Sequence, residues 1–328
     1  MTSYFIVLCL TAMSFQANTN DPIDIKLDSR VEGKKINLSY MKPKAGKLNK
    51  AVLFIHGASF PSALAAGFRM GGVSWMDVLA EAGYDVFTLD FLGYGKSDRY
   101  NYMLGLEGEN DQRGIGKEVA EDIDIAMDYI MQFKGLNSVH LIGHSWGATV
   151  SGYYASLHPD KVDKLVLFAP FTERPGKTSW DKSEDFYKEQ TPAARIAQFT
   201  RQIPEGEEMT LADEVLNGWG EAWLSSDPTS KSRSAQTVRY PRAWERDLYD
   251  CWNGNCFFKG ENIQNASLII RGEWDTAFSF EDAQNLFMQM KKARFKRYYV
   301  IDKSTHVLHL EKNRFALYEL VQLFLKSN

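Results

Sequence analysis

The sequence predicts an α/β fold in which a mostly parallel central sheet carries helices on both faces. Two observations predict it. Residues 51–170 alternate short apolar runs with helix-like segments, and the same alternation returns after residue 262. The runs themselves, such as "AVLFIHG" at 51–57, are continuously apolar, which is typical of strands buried on both faces. Because parallel neighbours are joined through a crossover helix, this order favours a parallel sheet.

The individual elements follow from local patterns. Residues 23–40 alternate apolar and polar side chains around Glu32-Gly33, which predicts an antiparallel hairpin. The helix-like segments place apolar residues three or four positions apart, as in 116–135. Strands are predicted at 51–57, 85–91, 139–145, 164–170, 267–275 and 297–302, and helices at 74–84, 116–135, 146–159, 279–292 and 314–326.

The alternation breaks between residues 171 and 262, where the chain is polar and helix-like in places. This segment follows the carboxyl end of the strand predicted at 164–170, so it lies over the edge where such sheets bind ligands. We therefore predict a largely helical cap at 171–262, inserted into a core formed by 18–170 and 263–328. The tryptophans of the cap either line an apolar pocket or hold the cap on the sheet, and the sequence leaves both interpretations open for Trp180, Trp219, Trp223, Trp244 and Trp252.

The N-terminus predicts an export signal. Residues 4–13 form an apolar run that is too short to span a bilayer but suits the core of a signal peptide. Ala12-Met13-Ser14 follows as a small-residue cleavage site. We expect a signal peptide at 1–17 and export to the periplasm or the medium. The alternative is a disordered start of a cytoplasmic protein, since no Lys or Arg precedes the apolar run.

Cysteine usage fits export. Cys9 would leave with the signal peptide, which leaves Cys251 and Cys256 on either side of the tight-turn dipeptide Asn253-Gly254. An oxidising compartment would let these two form a disulfide, and two free buried thiols are the alternative. No second Cys/His pair with ligand spacing lies nearby, so we predict no metal site.

Charge and composition point to small-molecule partners. The chain has 38 basic and 42 acidic residues, a net charge of -4, and no long basic run. This pattern argues against a nucleic-acid surface. No apolar run is long enough for a stable membrane span.

The motif "GHSWG" joins a predicted strand to a predicted helix and is the strongest chemical signal. A strand-to-helix turn this tight strains the central residue, and its neighbours Gly143 and Gly147 need almost no side chain to clear the adjacent elements. The result is the nucleophile elbow, which raises the hydroxyl of Ser145 above the carboxyl edge of the sheet. We predict Ser145 as a nucleophile.

A serine nucleophile needs a base. His306 follows the last predicted strand, in a loop where a core histidine is not expected, and we predict it as the general base. His309 is interpreted as a structural or pocket neighbour. His144 flanks Ser145 but points away from it in an elbow, so we expect it to pack beneath the site.

The base needs a carboxylate to orient it. Asp275 ends "LIIRGEWD" just past a buried strand, and the loop after that strand should place it beside the last one. Asp275 is therefore the predicted acid. Glu273, Asp302 and Glu173 remain alternatives.

Acyl transfer also needs donors for an oxyanion. One should be the N–H of Trp146, which follows the nucleophile. The second should come from the loop after "VLFIHG", where we choose the N–H of Ala58 and keep that of Ser59 as the alternative.

These motifs together resemble those of the α/β-hydrolase superfamily, in its serine-nucleophile branch with a cap insertion. The resemblance rests on "FIHGAS", "DFLGYGKSD", "GHSWG", "RGEWD" and "STHVLHLE", which stand in the order of the family. It implies the α/β-hydrolase fold, a Ser145–Asp275–His306 triad, hydrolysis of an ester, thioester, amide or lactone, and no cofactor. The serine separates the chain from branches with an aspartate nucleophile, the haloalkane dehalogenases and epoxide hydrolases.

The predicted function is a serine hydrolase, specifically a carboxylic ester hydrolase acting on a small-to-medium, partly apolar substrate. The elbow also looks like that of proline iminopeptidases, although those have a glycine in place of His144 and "HGGPG" in place of "HGASF". An acyltransferase using the same triad is a further alternative. A non-catalytic binding protein with this fold is the last.

Overall fold

The computed structural model describes residues 21–44, 46–106, 114–176, 178–179, 181–182 and 184–327. The predicted signal peptide at 1–17 lies outside these residues. The strands are β1 (Ile23–Asp28), β2 (Lys35–Met41), β3 (Ala51–Ile55), β4 (Asp85–Asp90), β5 (Val139–His144), β6 (Val162–Phe168), β7 (Tyr187–Gln190), β8 (Val238–Pro241), β9 (Ala266–Gly272) and β10 (Lys296–Ile301). The helices are α1 (Trp75–Glu81), α2 (Gly116–Lys134), α3 (Trp146–Leu157), α4 (Pro192–Thr200), α5 (Gly220–Ser225), α6 (Ala243–Trp252), α7 (Phe280–Gln289) and α8 (Arg314–Lys326).

Eight strands form one sheet in the order β1-β2-β4-β3-β5-β6-β9-β10. The hairpin β1–β2 is antiparallel, β2 pairs antiparallel with β4, and the other neighbours are parallel. The predicted mostly parallel sheet is therefore correct. Chain order reverses at β3, which lies between β4 and β5, and this is the point where open sheets of this kind bind ligands.

The turn after β4 illustrates how the sequence holds this edge of the sheet. The carboxylate of Asp90 accepts hydrogen bonds from the backbone N–H and the hydroxyl of Ser62, at 2.9 and 2.6 Å. Gly95 has φ +49°, and a Cβ on it would lie 2.1 Å from Asp90 Oδ2. Only glycine fits there. The turn thereby joins the loop after β4 to the loop after β3.

The segment 171–262 leaves the large sheet after β6 and returns before β9. Its elements are α4, α5 and α6 together with the antiparallel pair β7–β8, so helices predominate in it beside one short β pair. The strand before it ends at Phe168, two residues earlier than predicted. The reason is that Ala169 has φ +52° and Pro170 cannot donate a ladder hydrogen bond. No helix within the described residues is long and apolar enough to cross a membrane.

Candidate active site

Four loops bring the predicted site residues to one edge of the sheet. Strands β3, β5, β9 and β10 run parallel to one another, so their carboxyl ends lie at the same edge. Ala58 follows β3, Ser145 follows β5, Asp275 follows β9 and His306 follows β10. Residues that lie far apart in sequence therefore meet above the sheet.

Ser145 occupies a strained turn between β5 and α3. Its backbone has φ 55° and ψ −129°, a region that non-glycine residues rarely adopt. A Cβ on Gly143 would lie 2.5 Å from Ala148 Cα, and a Cβ on Gly147 would lie 2.1 Å from the carbonyl oxygen of His56. Both glycines are therefore required by backbone atoms that cannot move aside. This is the geometry that the sequence predicted for the elbow.

The three side chains predicted as nucleophile, base and acid form one hydrogen-bonded chain. Ser145 Oγ lies 2.8 Å from His306 Nε2, and His306 Nδ1 lies 2.9 Å from Asp275 Oδ2. The other carboxylate oxygen of Asp275 accepts the N–H groups of Ala277 and Phe278 at 2.9 and 3.0 Å. A carboxylate only accepts, so Nδ1 carries the proton and Nε2 is free to accept from the serine hydroxyl.

The alternative carboxylates do not take the place of Asp275. Glu273 accepts a hydrogen bond from the backbone N–H of Lys303, in the turn after β10, at 3.0 Å, and Glu173 binds Lys259 of the cap. The backbone carbonyl of Asp302 accepts hydrogen bonds from the side chains of Ser304 and Asn313. Among the described residues, the ring of His306 meets only one carboxylate, that of Asp275.

Two further histidines pack beneath His306. The ring of His144 donates from Nε2 to the backbone carbonyl of His306 at 2.9 Å and lies 4.4 Å, centroid to centroid, from the ring of His309. Burial, with the nearby charge of His306, lowers the pKa of His309 to about 3, and burial lowers the pKa of His144 well below its usual value. Both rings are neutral at pH 7. They therefore place no positive charge beneath His306. This agrees with their interpretation as residues that pack beside and beneath the site.

Two residues that the sequence analysis missed hold the loops of the base and acid. The buried Glu311 accepts hydrogen bonds from the N–H and hydroxyl of Thr305. Gln202, in the cap segment, accepts the N–H of His306 at 2.9 Å and donates to the hydroxyl of Thr276 at 3.0 Å. Glu311 could have been noticed as a carboxylate directly after an apolar turn. Gln202 carries no signal in the sequence.

The predicted oxyanion donors lie on either side of Ser145. Trp146 is the first residue of α3, so its N–H has no acceptor within the helix. The loop after β3 passes so close that a Cβ on Gly57 would lie 3.0 Å from Ser145 Cβ. Ala58 and Ser59 line the same cavity as Ser145. The backbone geometry therefore accommodates Ala58 as well as the alternative Ser59.

A buried carboxylate of the cap contacts this arrangement from above. Asp247 Oδ2 accepts the indole N–H of Trp146 at 2.8 Å and the backbone N–H of Gly116 at 2.7 Å. Burial raises the pKa of Asp247 to about 7 from its ordinary 3.8. Trp146 and Gly116 both belong to the core, so Asp247 joins α6 of the cap to α2 and α3. The sequence gave no reason to single it out.

A cavity of about 210 Å³ opens over Ser145. Its wall is mainly apolar and combines core loops with cap helices. The lining residues are Ala58, Ser59, Phe60, His144, Ser145, Phe171, Arg195, Gln198, Phe199, Gln202, Trp244, Leu248, Trp252, Ala277, His306 and Val307.

The structure separates the two interpretations of the cap tryptophans. Trp219 and Trp223 are fully buried, and their indole N–H groups donate to the carbonyls of Leu64 and Ser59 at 3.0 and 2.9 Å. These two hold the cap on the core. Trp244 and Trp252 instead line the cavity. Trp180 lies outside the described residues.

Cys251 and Cys256 are joined as a disulfide at the end of α6. Among the described residues, no group of three or more His, Cys, Asp or Glu side chains is arranged to hold a metal ion.

Comparison with known proteins identifies the family. The family model described as "alpha/beta hydrolase fold" matches residues 50–313. The chain is 28% identical over 163 residues to epoxide hydrolase B of Mycobacterium tuberculosis, covering 47% of this chain and 42% of that protein. It is 30% identical over 155 residues to the 2-hydroxy-6-oxononadienedioate/2-hydroxy-6-oxononatrienedioate hydrolase of Escherichia coli, covering 47% of each. The matches thus span about half the length of these curated relatives.

Solved structures share the fold at low sequence identity. A probable hydrolytic enzyme from Pseudomonas aeruginosa superposes with a TM-score of 0.67 and 17% identity, covering 94% of this chain and 95% of the other. The esterase Est1E from Butyrivibrio proteoclasticus, solved with ferulic acid bound, gives a TM-score of 0.55 and 18% identity over 92% of this chain and 97% of the other. At such identities these matches establish the architecture alone.

Proposed function

The chain belongs to the α/β-hydrolase fold family, and we propose that it is a serine hydrolase that cleaves carboxylic esters of small-to-medium size and partly apolar character. One observation carries the proposal. It is the hydrogen-bonded chain from Ser145 through His306 to Asp275, which opens onto a largely apolar cavity. That arrangement has the parts that acyl transfer requires.

The proposed reaction follows from the protonation states. Ser145 Oγ attacks the ester carbonyl carbon while His306 Nε2 accepts the hydroxyl proton. Asp275 stabilises the imidazolium, and the N–H groups of Ala58 and Trp146 donate to the oxyanion. The imidazolium then protonates the leaving alcohol, which leaves an acyl group on Ser145. Water, deprotonated by His306, releases the carboxylic acid and restores the serine.

Two observations favour an ester over the substrates named for the curated relatives. The position that attacks is a serine, which forms a hydrolysable acyl ester, whereas the epoxide hydrolase branch uses an aspartate. Neither relative is matched over more than about half its length, so their substrates carry little weight for the cap. The cap supplies Phe199, Trp244 and Trp252 to the cavity wall, and these surfaces suit an apolar acyl or aryl group.

The first test is labelling with a fluorophosphonate probe. Wild type should be labelled covalently, and Ser145→Ala should not, because the probe reacts only with an activated serine. The variant should lose about 10⁵- to 10⁶-fold in kcat while keeping its thermal unfolding transition. Ser156→Ala, a hydroxyl on the outer end of the same helix, is the matched control and should be labelled like wild type.

Failure of the folded wild-type protein to label would overturn the proposal and bring a binding function forward. Labelled protein would next be assayed on esters of increasing acyl length and on aminoacyl amides. Faster amide cleavage would indicate a peptidase. Faster transfer to an added alcohol than to water would indicate an acyltransferase.

A further inference from the structure

The wall of the cavity over Ser145 carries a positively charged side chain. Of the described side chains that line it, Arg195 is the single arginine or lysine, and no aspartate or glutamate is among them. The wall around this cation is largely apolar. A cation in such surroundings is costly unless an anion pairs with it.

Arg195 differs from five of the other six arginines of the cap segment, and the sixth, Arg201, is exposed. Its Nη2 donates to the hydroxyl of Tyr240 at 2.9 Å, and its guanidinium carbon lies 5.6 to 5.9 Å from the ring centres of Phe199, Trp223 and Tyr240. Its Nε is buried with no hydrogen-bond partner among the described residues. Ion pairs with carboxylates instead occupy Arg174, Arg233, Arg239, Arg242 and Arg246.

Arg195 lies on the same wall of the cavity as Gln202, which contacts His306. Arg195 and Phe199 lie one turn apart on α4, and Gln202 lies on the same side just beyond the end of that helix. Gln202 contacts the backbone of His306, and by the rise of a helix over seven residues the Cα atom of Arg195 lies about 10 Å further along this wall. Arg195 and Ser145 line the same cavity, so a group bound at Arg195 shares that cavity with the carbonyl that Ser145 attacks.

We propose that the natural substrate is an ester that also carries a carboxylate, and that Arg195 binds this carboxylate while Ser145 attacks the ester. This inference rests on the proposed ester hydrolase function and names its substrate class. The planar guanidinium suits a carboxylate because it can donate two parallel hydrogen bonds. Its hydrogen bond to the hydroxyl of Tyr240 holds one end of the guanidinium in place.

The test compares matched esters that differ in charge. Monomethyl esters of succinic, adipic, suberic and sebacic acid are paired with neutral methyl esters of equal length, and 4-acetoxybenzoate is paired with 4-methylphenyl acetate. The first series carries the carboxylate on the acyl side and the second on the alcohol side. The quantity measured is the ratio of kcat/KM for the anionic ester to that for its neutral partner.

Arg195→Met should lower this ratio by about 10- to 100-fold for the best-fitting pair, since a hydrogen-bonded charge pair is lost. Arg195→Lys, which keeps the charge without the fork, should give an intermediate ratio. Arg201→Met removes an exposed cation just past the same helix and should leave the ratio at its wild-type value. A ratio that falls equally in the Arg201 variant would indicate long-range attraction and overturn the proposal.

A purely structural role for Arg195 predicts another outcome. Arg195→Met would then lower the melting temperature and slow the hydrolysis of both esters of each pair equally. The ratio would be unchanged at every chain length, and the proposal would be wrong.

If the variant does not fold, the test uses the wild-type protein alone and measures competitive inhibition of methyl heptanoate hydrolysis. Benzoate should inhibit at lower concentration than benzamide, and equal inhibition would refute carboxylate binding. Absence of fluorophosphonate labelling would instead refute the ester hydrolase function itself.

Discussion

The carboxyl edge of the sheet and the cap segment 171–262 build the same cavity by different means. At the sheet edge, positions are set by backbone contacts, as at Gly147, where an added Cβ would lie 2.1 Å from a carbonyl oxygen. In the cap, at Gly218, an added Cβ would meet nothing within 4 Å. Gly147 thus stands where backbone atoms leave no room for a side chain, whereas Gly218 stands where one can be added. Gly220, close by in the cap, is crowded again, with an added Cβ 2.9 Å from the Cβ of Pro192, so the contrast belongs to these two positions.

The largest effect should come from the acid at the sheet edge. Asp275→Asn should lower kcat by about 10⁴-fold, because an amide in this position favours the wrong tautomer of His306. Glu273→Gln, two residues earlier, should retain activity within a few fold. Steady-state kinetics on one neutral ester measures both. A mild effect at Asp275 together with a severe one at Glu273 would reverse the assignment of the acid.

The second prediction compares alanine substitutions at Gly147 and Gly218. Gly147→Ala should destabilise the protein by about 1–3 kcal/mol or more and abolish fluorophosphonate labelling, since the methyl group has no space beside His56. Gly218→Ala should be neutral or slightly stabilising, because Gly218 lies in the π-helical turn Val215–Trp219, where alanine is the better helix former and has open space. Thermal unfolding and labelling of both variants provide the measurement. Similar behaviour of the two would contradict the contrast.

A smaller effect separates the two classes of tryptophan. Trp219→Phe should cost about 1–3 kcal/mol of unfolding free energy, because the buried carbonyl of Leu64 loses its donor. Trp244→Phe should cost little, because its indole N–H is buried without a hydrogen-bond partner among the described residues. It should change KM instead, since Trp244 lines the cavity. Chemical denaturation and ester kinetics distinguish the two effects.

The last effect is spread over several pH units and concerns Asp247, where cap and core meet. Because the pKa of Asp247 is raised to about 7, its carboxyl group stays protonated in the folded protein between about pH 4 and 7. The unfolded chain has released that proton in this range. Stability from this group therefore falls as pH rises through that window, by at most about 1.4 kcal/mol per pH unit, and is constant above it. Asp247→Asn should flatten this part of the pH–stability curve.

The control for that experiment is Asp250→Asn, on the same helix. The carboxylate of Asp250 is partly exposed and pairs with Lys182, so the slope between pH 4 and 7 should persist in this variant. Loss of the slope in both variants would assign it to another group.

The sequence predicted the sheet edge well and the cap poorly, for physical reasons. Ser145, Asp275 and His306 follow buried strands whose apolar runs are readable, and parallel pairing brings all strand ends to one edge. The cap contacts of Gln202 and Asp247 join residues about a hundred positions apart through single side chains, which no local pattern encodes. The tryptophans illustrate the same limit.

Trp219 and Trp244 are the same residue type in the same kind of segment. Only the direction of each indole N–H, toward a core carbonyl or toward no acceptor, tells their roles apart. The exact end of β6 was also missed, because the positive φ of Ala169 depends on how the chain leaves the sheet.

The hydrogen bonds of Gln202 have a consequence for how such enzymes diversify. Substrate range could be altered by exchanging one contiguous stretch of the gene, since the cap is a single insertion between β6 and β9. Yet the N–H of His306 takes its acceptor from that stretch, and the hydroxyl of Thr276 beside the predicted acid takes a donor from it. A transplanted cap must therefore bring its own acceptor to the same place. Otherwise the recombinant protein would keep Ser145, His306 and Asp275 but lose the hydrogen bond that holds the loop of His306 in place.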